Sequence, residues 1–176
     1  FSTRFDADLD MRMDQSGNLT AKDVVNTYSE AELHQVLGMY GEVRNAKTLA
    51  AAIVSARTNK TITTVNDLKA ILERYAKRGK EFRYYAQVFQ AIRIEVNEEL
   101  KALEEMLEQS AELLKPGGRL VVISYHSLED RLVKNFMKRG SFEGEIQKDF
   151  FGNILKPFKE LIKHPLVPGE DEIRLN

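Results

Sequence analysis

Apolar residues recur at three- and four-residue steps over most of this chain, and the runs break where capping and turn residues stand. From Val43 to Arg57 the set Ala46, Leu49, Ala50, Ile53 and Val54 marks one buried face, which predicts a helix. Thr20 precedes Asp23 by three residues, and Ser29 precedes Glu32 by three. Each hydroxyl can accept an early backbone N–H while the Glu32 acid reaches back, so two short helices are predicted, to about Tyr28 and to Gly38–Gly41. Thr64-Val65-Asn66-Asp67 opens another, with Leu68, Ile71, Leu72 and Tyr75 on its face and its end at Lys77-Arg78-Gly79-Lys80. Residues 18 to about 80 therefore form a compact all-helical unit. Before it, residues 1–15 alternate acids, arginines and apolar side chains without helical spacing and predict an ordered loop.

Phe89, Ile92, Val96, Leu100, Leu103, Leu107, Ala111 and Leu114 keep a helical period, so Phe82 to Leu114 is one long helix or two with a bend. Leu114-Lys115-Pro116-Gly117-Gly118 ends it. Arg119 to Tyr125 is then an unbroken β-branched apolar run, of the kind buried on both faces of a parallel sheet. Ser127-Leu128-Glu129-Asp130 reads as a third capping box, opening a helix with Leu132, Val133, Phe136 and Met137 on one side that closes at Gly140. Phe158 to Ile162 fits a short strand, and Pro165, Pro168 and Gly169 predict an edge or loop after it. A helix, a glycine turn and a buried strand make half of an α/β unit, so the expected fold class is α/β, mostly helical in this chain.

Composition narrows the function classes. A length of 176 residues suits one domain or two small ones. A formal net charge of −1 excludes a chain that is basic overall, so nucleic-acid contact has to be sought locally. Lys69, Arg74, Lys77, Arg78, Lys80 and Arg83, against Glu73 and Glu81, form such a local basic cluster, suited to phosphate contact or simply solvated. Having no cysteine, the chain has no disulfide or thiolate metal site, in keeping with a reducing, cytoplasmic setting. No apolar run approaches the roughly 20 residues of a membrane span, and no membrane partner is expected. His34 and His164 stand without a ligand-spaced partner, so no metal is expected. The start at Phe1 without methionine, and the stop at Asn176 with the pattern still running, read as an excised fragment.

In open parallel α/β sheets, ligands sit beyond the carboxyl ends of the strands. His126, Ser127 and Glu129 follow the strand-like run directly and are the leading substrate-side candidates. The competing reading is that Ser127 and Asp130 only cap a helix while His126 satisfies a backbone group. Arg93 and Asn97, four apart on a helix whose other face is apolar, could project together toward the sheet end, with structural hydrogen bonding as the alternative.

Three strings together exceed generic pattern. Asp8-Leu9-Asp10-Met11-Arg12-Met13-Asp14, Phe89-Gln90-Ala91-Ile92-Arg93-Ile94-Glu95-Val96-Asn97-Glu98-Glu99-Leu100, and Val122-Ile123-Ser124-Tyr125-His126-Ser127-Leu128-Glu129-Asp130-Arg131 resemble, in order, L-D-M-R-M-D, F-Q-A-L-R-I-x-V-N-x-E-L and V-I-S-F-H-S-L-E-D-R of the RsmH/MraW family. Tyr40-Gly41-Glu42 and Leu114-Lys115-Pro116-Gly117-Gly118 fall where that family has Y-G-E-E and L-K-P-G-G, so the resemblance covers essentially the whole chain. Val43, Tyr125 and Tyr84-Tyr85-Ala86-Gln87 depart from it, the last standing where many members have a histidine-proline string.

The resemblance implies a class I, Rossmann-like methyltransferase that uses S-adenosylmethionine to methylate a cytosine N4 of 16S ribosomal RNA in the small ribosomal subunit. It implies a loop over 1–15, a helical insert over 16–84 and the distal part of the Rossmann-like domain over 85–176. His126, Ser127, Glu129 and Asp10 become candidate catalytic groups, and Arg4, Arg12, Asp14, Arg93, Asn97 and Arg131 candidate substrate contacts. Asp6 and Asp8 belong to the same acidic mouth, although an Arg/Asp-paired loop tying two domains together would look the same. Nothing matches G-x-G-x-x-G, so no cofactor residue is expected in this chain, which alone should be inactive. An unpaired strand at 120–124 would favour a homodimer or self-association. The alternative is a non-enzymatic helical RNA- or protein-binding module, marked by having no buried parallel strand beside a cofactor cleft.

Overall fold

The computed structural model of the protein describes residues 5–144, 146–162 and 166–175, and these fall into two compact units, Phe1–Lys101 and Ala102–Asn176. The first unit holds α1 (Ala21–Thr27), α2 (Glu30–Met39), α3 (Ala46–Asn59), α4 (Val65–Leu72) and α5 (Glu81–Asn97). Its helix starts follow from local chemistry. Thr20, Ser29 and Thr64 each accept the N–H of the residue three ahead, while Asp23, Glu32 and Asp67 accept the backbone N–H of those caps in return. Each such box satisfies two donors that a helix start otherwise leaves to water.

Packing then selects the apolar faces. α2 lies against α3 and α5, α1 against the same two, and α4 against α3. Val24, Leu33, Leu37, Leu49, Ile53, Leu68, Leu72 and Ile92 are fully buried between them. Gly41 lets the end of α2 meet α5, since a Cβ there would stand 2.7 Å from the Gln87 carbonyl oxygen. The loop before α1 is sewn to this core: Leu9 is buried, its N–H donates to the Thr63 carbonyl at 3.0 Å, and its carbonyl accepts from Lys22 N–H at 2.7 Å.

α6 (Glu99–Leu113) begins in the first unit and runs into the second, which also holds α7 (Ser127–Arg139) and α8 (Glu170–Leu175). The predicted long helix is thus two, broken at Glu98, whose φ of 47° is left-handed. In the second unit Leu107, Leu132 and Phe136 are buried, with Phe136 stacked on Phe142 at 4.8 Å between ring centroids. Leu113, Val121, Ile123, Phe150, Phe151, Leu161 and Leu166 remain exposed.

Three expectations need correction. Neither 119–125 nor 158–162 forms a strand, and among the described residues there is no strand at all, only isolated bridges joining Asp8 to Thr64 and Lys148 to Ile154. A strand exists by virtue of a hydrogen-bonded neighbour, and among the described residues no neighbour pairs with 120–124. The segment keeps a period of two all the same: Val121, Ile123 and Tyr125 are exposed while Leu120, Val122 and Ser124 are half-buried. After Pro168 and Gly169 the chain forms a short helix rather than an edge or loop, and Glu170, Asp171 and Glu172 suit its positive N-terminal end. The box that opens α7 lies one residue earlier than expected, with His126 and not Ser127 as its cap. Among the described residues no helix is long and apolar enough to cross a membrane.

Candidate functional site

The sequence-nominated residues gather in two places, one in each unit; Arg4 lies outside the described residues, as does His164. In the first unit the loop at 8–17 is organised around Arg12. Its guanidinium donates to both Asp10 carboxylate oxygens at 2.8 Å and to the Gly17 carbonyl at 2.8 Å, and the Arg12 N–H also reaches Asp10 at 3.1 Å. The Arg12 hydrogen bond holds the Asp10 carboxyl at about 2, against the partial opposition of burial. Asp14 is also held below its ordinary range, chiefly by the Ser16 hydroxyl donating at 2.7 Å.

Asn97, at the last turn of α5, is the clamp on this loop. Its Oδ1 accepts the Met13 N–H at 2.7 Å, and its Nδ2 donates to the Met11 carbonyl at 2.9 Å and to the Arg93 carbonyl at 2.8 Å. Met11 sits at φ 65° and is buried, a left-handed conformation that an unbranched residue keeps only under tertiary constraint. Arg93 does not share the loop's bonds. Its Nη2 donates to Glu99 Oε2 at 3.0 Å, and its Nε lies 2.8 Å from Oε1 without the alignment of a hydrogen bond. Glu99 escaped the sequence reading because its six-residue spacing from Arg93 matches no helical pairing and needs the break at Glu98. Beside the loop, Asp8, Leu9, Asp10, Thr20, Lys22 and Thr63 line a hollow of about 220 Å³.

In the second unit His126 and Glu129 lock each other. The His126 Nδ1 accepts the Glu129 N–H at 3.4 Å, while Glu129 Oε2 accepts the N–H of Tyr125 at 2.8 Å and of His126 at 3.4 Å. The other ring nitrogen, Nε2, is turned toward the same carboxylate. That atom lies 3.4 Å from Glu129 Oε1, without hydrogen-bond alignment. Ser127 is the first residue of α7 and Arg131 is one turn on, both exposed. The sequence box could be read in two registers, Ser127 to Asp130 or His126 to Glu129, and only the backbone decides between them.

A second hollow, of about 310 Å³, is formed by side chains of α6 alone: Ala102, Glu105, Met106, Gln109, Ser110 and Leu113. S-adenosylmethionine requires a backbone turn opening onto a helix start and an acid for the ribose hydroxyls. One face of one helix supplies no such turn, and the hollow beside the loop is smaller than the usual few hundred Å³ of a cofactor pocket. Neither hollow therefore fits the cofactor.

A family model described as the MraW methylase family matches residues 1–176. Proteins named Ribosomal RNA small subunit methyltransferase H are 60% identical over 176 residues in Cytophaga hutchinsonii, 56% in Amoebophilus asiaticus and 54% in Flavobacterium johnsoniae. Each match takes in 100% of this chain and 59%, 57% and 58% of the respective relative, so the chain spans less than two thirds of their length.

Proposed function

The chain belongs to the MraW methylase family, and from that premise we propose that the full-length protein methylates the N4 amine of a cytosine in 16S ribosomal RNA, within the small ribosomal subunit, in the cytoplasm. The match over all 176 residues to relatives bearing that methyltransferase name carries the reading. It outweighs the non-enzymatic helical module, for which the lack of a paired strand among the described residues would otherwise speak. When bound, S-adenosylmethionine would supply the methyl group, from the part of the relatives' length that this chain does not span. In this reading 1–15 is a loop at the substrate mouth, 16–84 a helical insert, and 85–176 the distal part of a Rossmann-like domain.

This chain's own residues position the base. His126 is assigned to the groups that position the base, with Glu129 tying down the backbone at 125 and 126 on which the ring stands. Ser127 and Arg131 flank it on α7 as further substrate contacts. Asp10, held at about 2, is a poor proton acceptor at neutral pH; its part is to fix Arg12, while Asp14, and Arg4 beyond the described residues, are assigned to substrate contact. Most of the rate in such a transfer comes from alignment of the amine, which suits groups held by backbone bonds.

The test is methyl transfer from labelled S-adenosylmethionine to small subunits by the full-length protein, followed by nucleoside analysis. Label in N4-methylcytidine is expected, and label in another base or none overturns the reading. His126→Ala should lower turnover at least tenfold while costing only the 0.5–2 kcal/mol of a lost cap; parental turnover would leave His126 as a cap alone.

A further inference from the structure

The connector between α4 and α5 carries a charge pattern that the fold does not use. Residues 69–83 contain six cations and two carboxylates, a net +4 inside a chain whose total is −1. Arg74, Lys77, Arg78, Lys80 and Arg83 are exposed, and none of these five side chains has a carboxylate partner among the described residues. Glu81 is occupied by the Gly79 N–H at 2.9 Å. The backbone does not string these cations out. Ala76 N–H returns to the Leu72 carbonyl at 3.0 Å and Lys80 N–H to the Lys77 carbonyl at 2.9 Å, so two turns compact the backbone that carries them. The excess of positive charge opposes folding, and Glu73 and Glu81 offset only part of it.

Phe82 stands among them, on the first turn of α5, with 85% of its surface exposed. Lone exposed apolar residues are ordinary, but an aromatic ring flanked by unpartnered cations is the combination that single-stranded nucleic acid uses: phosphates on the cations, a base face on the ring. A solvated helix face commonly balances acids against bases, whereas here six bases stand against two acids, Glu73 and Glu81. A peptide partner would need acidic side chains and gives Phe82 no specific role.

We propose that the α4–α5 connector is a landing surface for an unpaired stretch of RNA, with Arg74, Lys77, Arg78, Lys80 and Arg83 holding the phosphates and Phe82 stacking on a base. This rests on the ribosomal RNA reading above and adds where on the helical unit the substrate strand lies.

The experiment measures binding of the full-length protein to a single-stranded oligoribonucleotide across a salt series, alongside methyl transfer to small subunits. The triple charge reversal Lys77→Glu, Arg78→Glu, Lys80→Glu should weaken binding at least tenfold at about 0.1 M salt and reduce the slope of log affinity against log salt by roughly 2, given about 0.7 per phosphate contact. Phe82→Ala, which changes no charge, should weaken binding roughly fivefold or more. Lys77→Gln, Arg78→Gln, Lys80→Gln serves if the reversal variant melts early. Parental affinity in correctly folded charge variants, or in Phe82→Ala, overturns the surface. A parent that binds the oligonucleotide through these residues yet transfers no methyl group to small subunits overturns the functional reading and supports the surface.

Discussion

The Asn97 carboxamide makes three hydrogen bonds, two to the backbone of a loop that precedes it by more than 80 residues and one to its own helix. At about 1 kcal/mol net for each, Asn97→Ala should cost roughly 2–3 kcal/mol and speed amide exchange at Met13, whose N–H loses its acceptor. Asn97→Asp should be no better, because a carboxylate oxygen would then face the Met11 and Arg93 carbonyls. Unchanged melting and unchanged Met13 exchange in Asn97→Ala would show that the loop is held by Arg12 and Leu9 without the clamp. The i, i+4 spacing of Arg93 and Asn97 was visible in the sequence, which allowed either a joint projection toward the sheet end or structural hydrogen bonding. The structure separates their duties: Asn97 bonds the loop and Arg93 pairs with Glu99.

At the scale of the element, helix starts were the most legible feature. The boxes at Thr20, Ser29 and Thr64 stand where the spacing of hydroxyl and acid put them, since a cap is a contact between residues three apart and needs nothing distant. Their acids make the first unit acid-sensitive. Thr20 hydrogen bonding lowers Asp23, Ser29 N–H lowers Glu32, and the Lys60 ammonium at 2.6 Å, with capping bonds, lowers Asp67 furthest. A carboxylate lowered in the folded state adds stability that is fully present above its unfolded value, near 3.8 for aspartate and 4.5 for glutamate, and disappears as pH falls toward the folded value. The melting temperature should therefore be flat near neutrality and drop below about pH 4.5. Asp67→Asn should lower it by roughly 4–8 °C at pH 7, as for a cap worth about 1 kcal/mol, and by less at pH 3. An acid slope as steep in Asp67→Asn as in the parent would remove Asp67 as a source. The α7 box was legible only in part, because an imidazole stands in for the hydroxyl and a serine follows it.

Across the whole molecule the two units differ in how far they satisfy their apolar surface. The first closes a core around Leu37, Leu49 and Ile53, whereas the second leaves Val121, Ile123, Tyr125, Phe150 and Phe151 largely in water. These 176 residues in isolation should therefore self-associate, and sedimentation velocity should show species larger than 20.1 kDa that dissociate on dilution. A single monomeric boundary at tens of micromolar would contradict this. What depends on near neighbours was legible in the sequence: the helix periods, three of the caps, and the ordered strings that the family match bears out. The alternation of 120–125 was legible too but not its pairing, because a strand is completed by backbone groups elsewhere, and no bridge among the described residues joins it. That Asn97 grips the 11–13 loop, where Met11 takes a left-handed turn, could come from packing alone, since α5 must lie against the first helices before its carboxamide reaches that backbone.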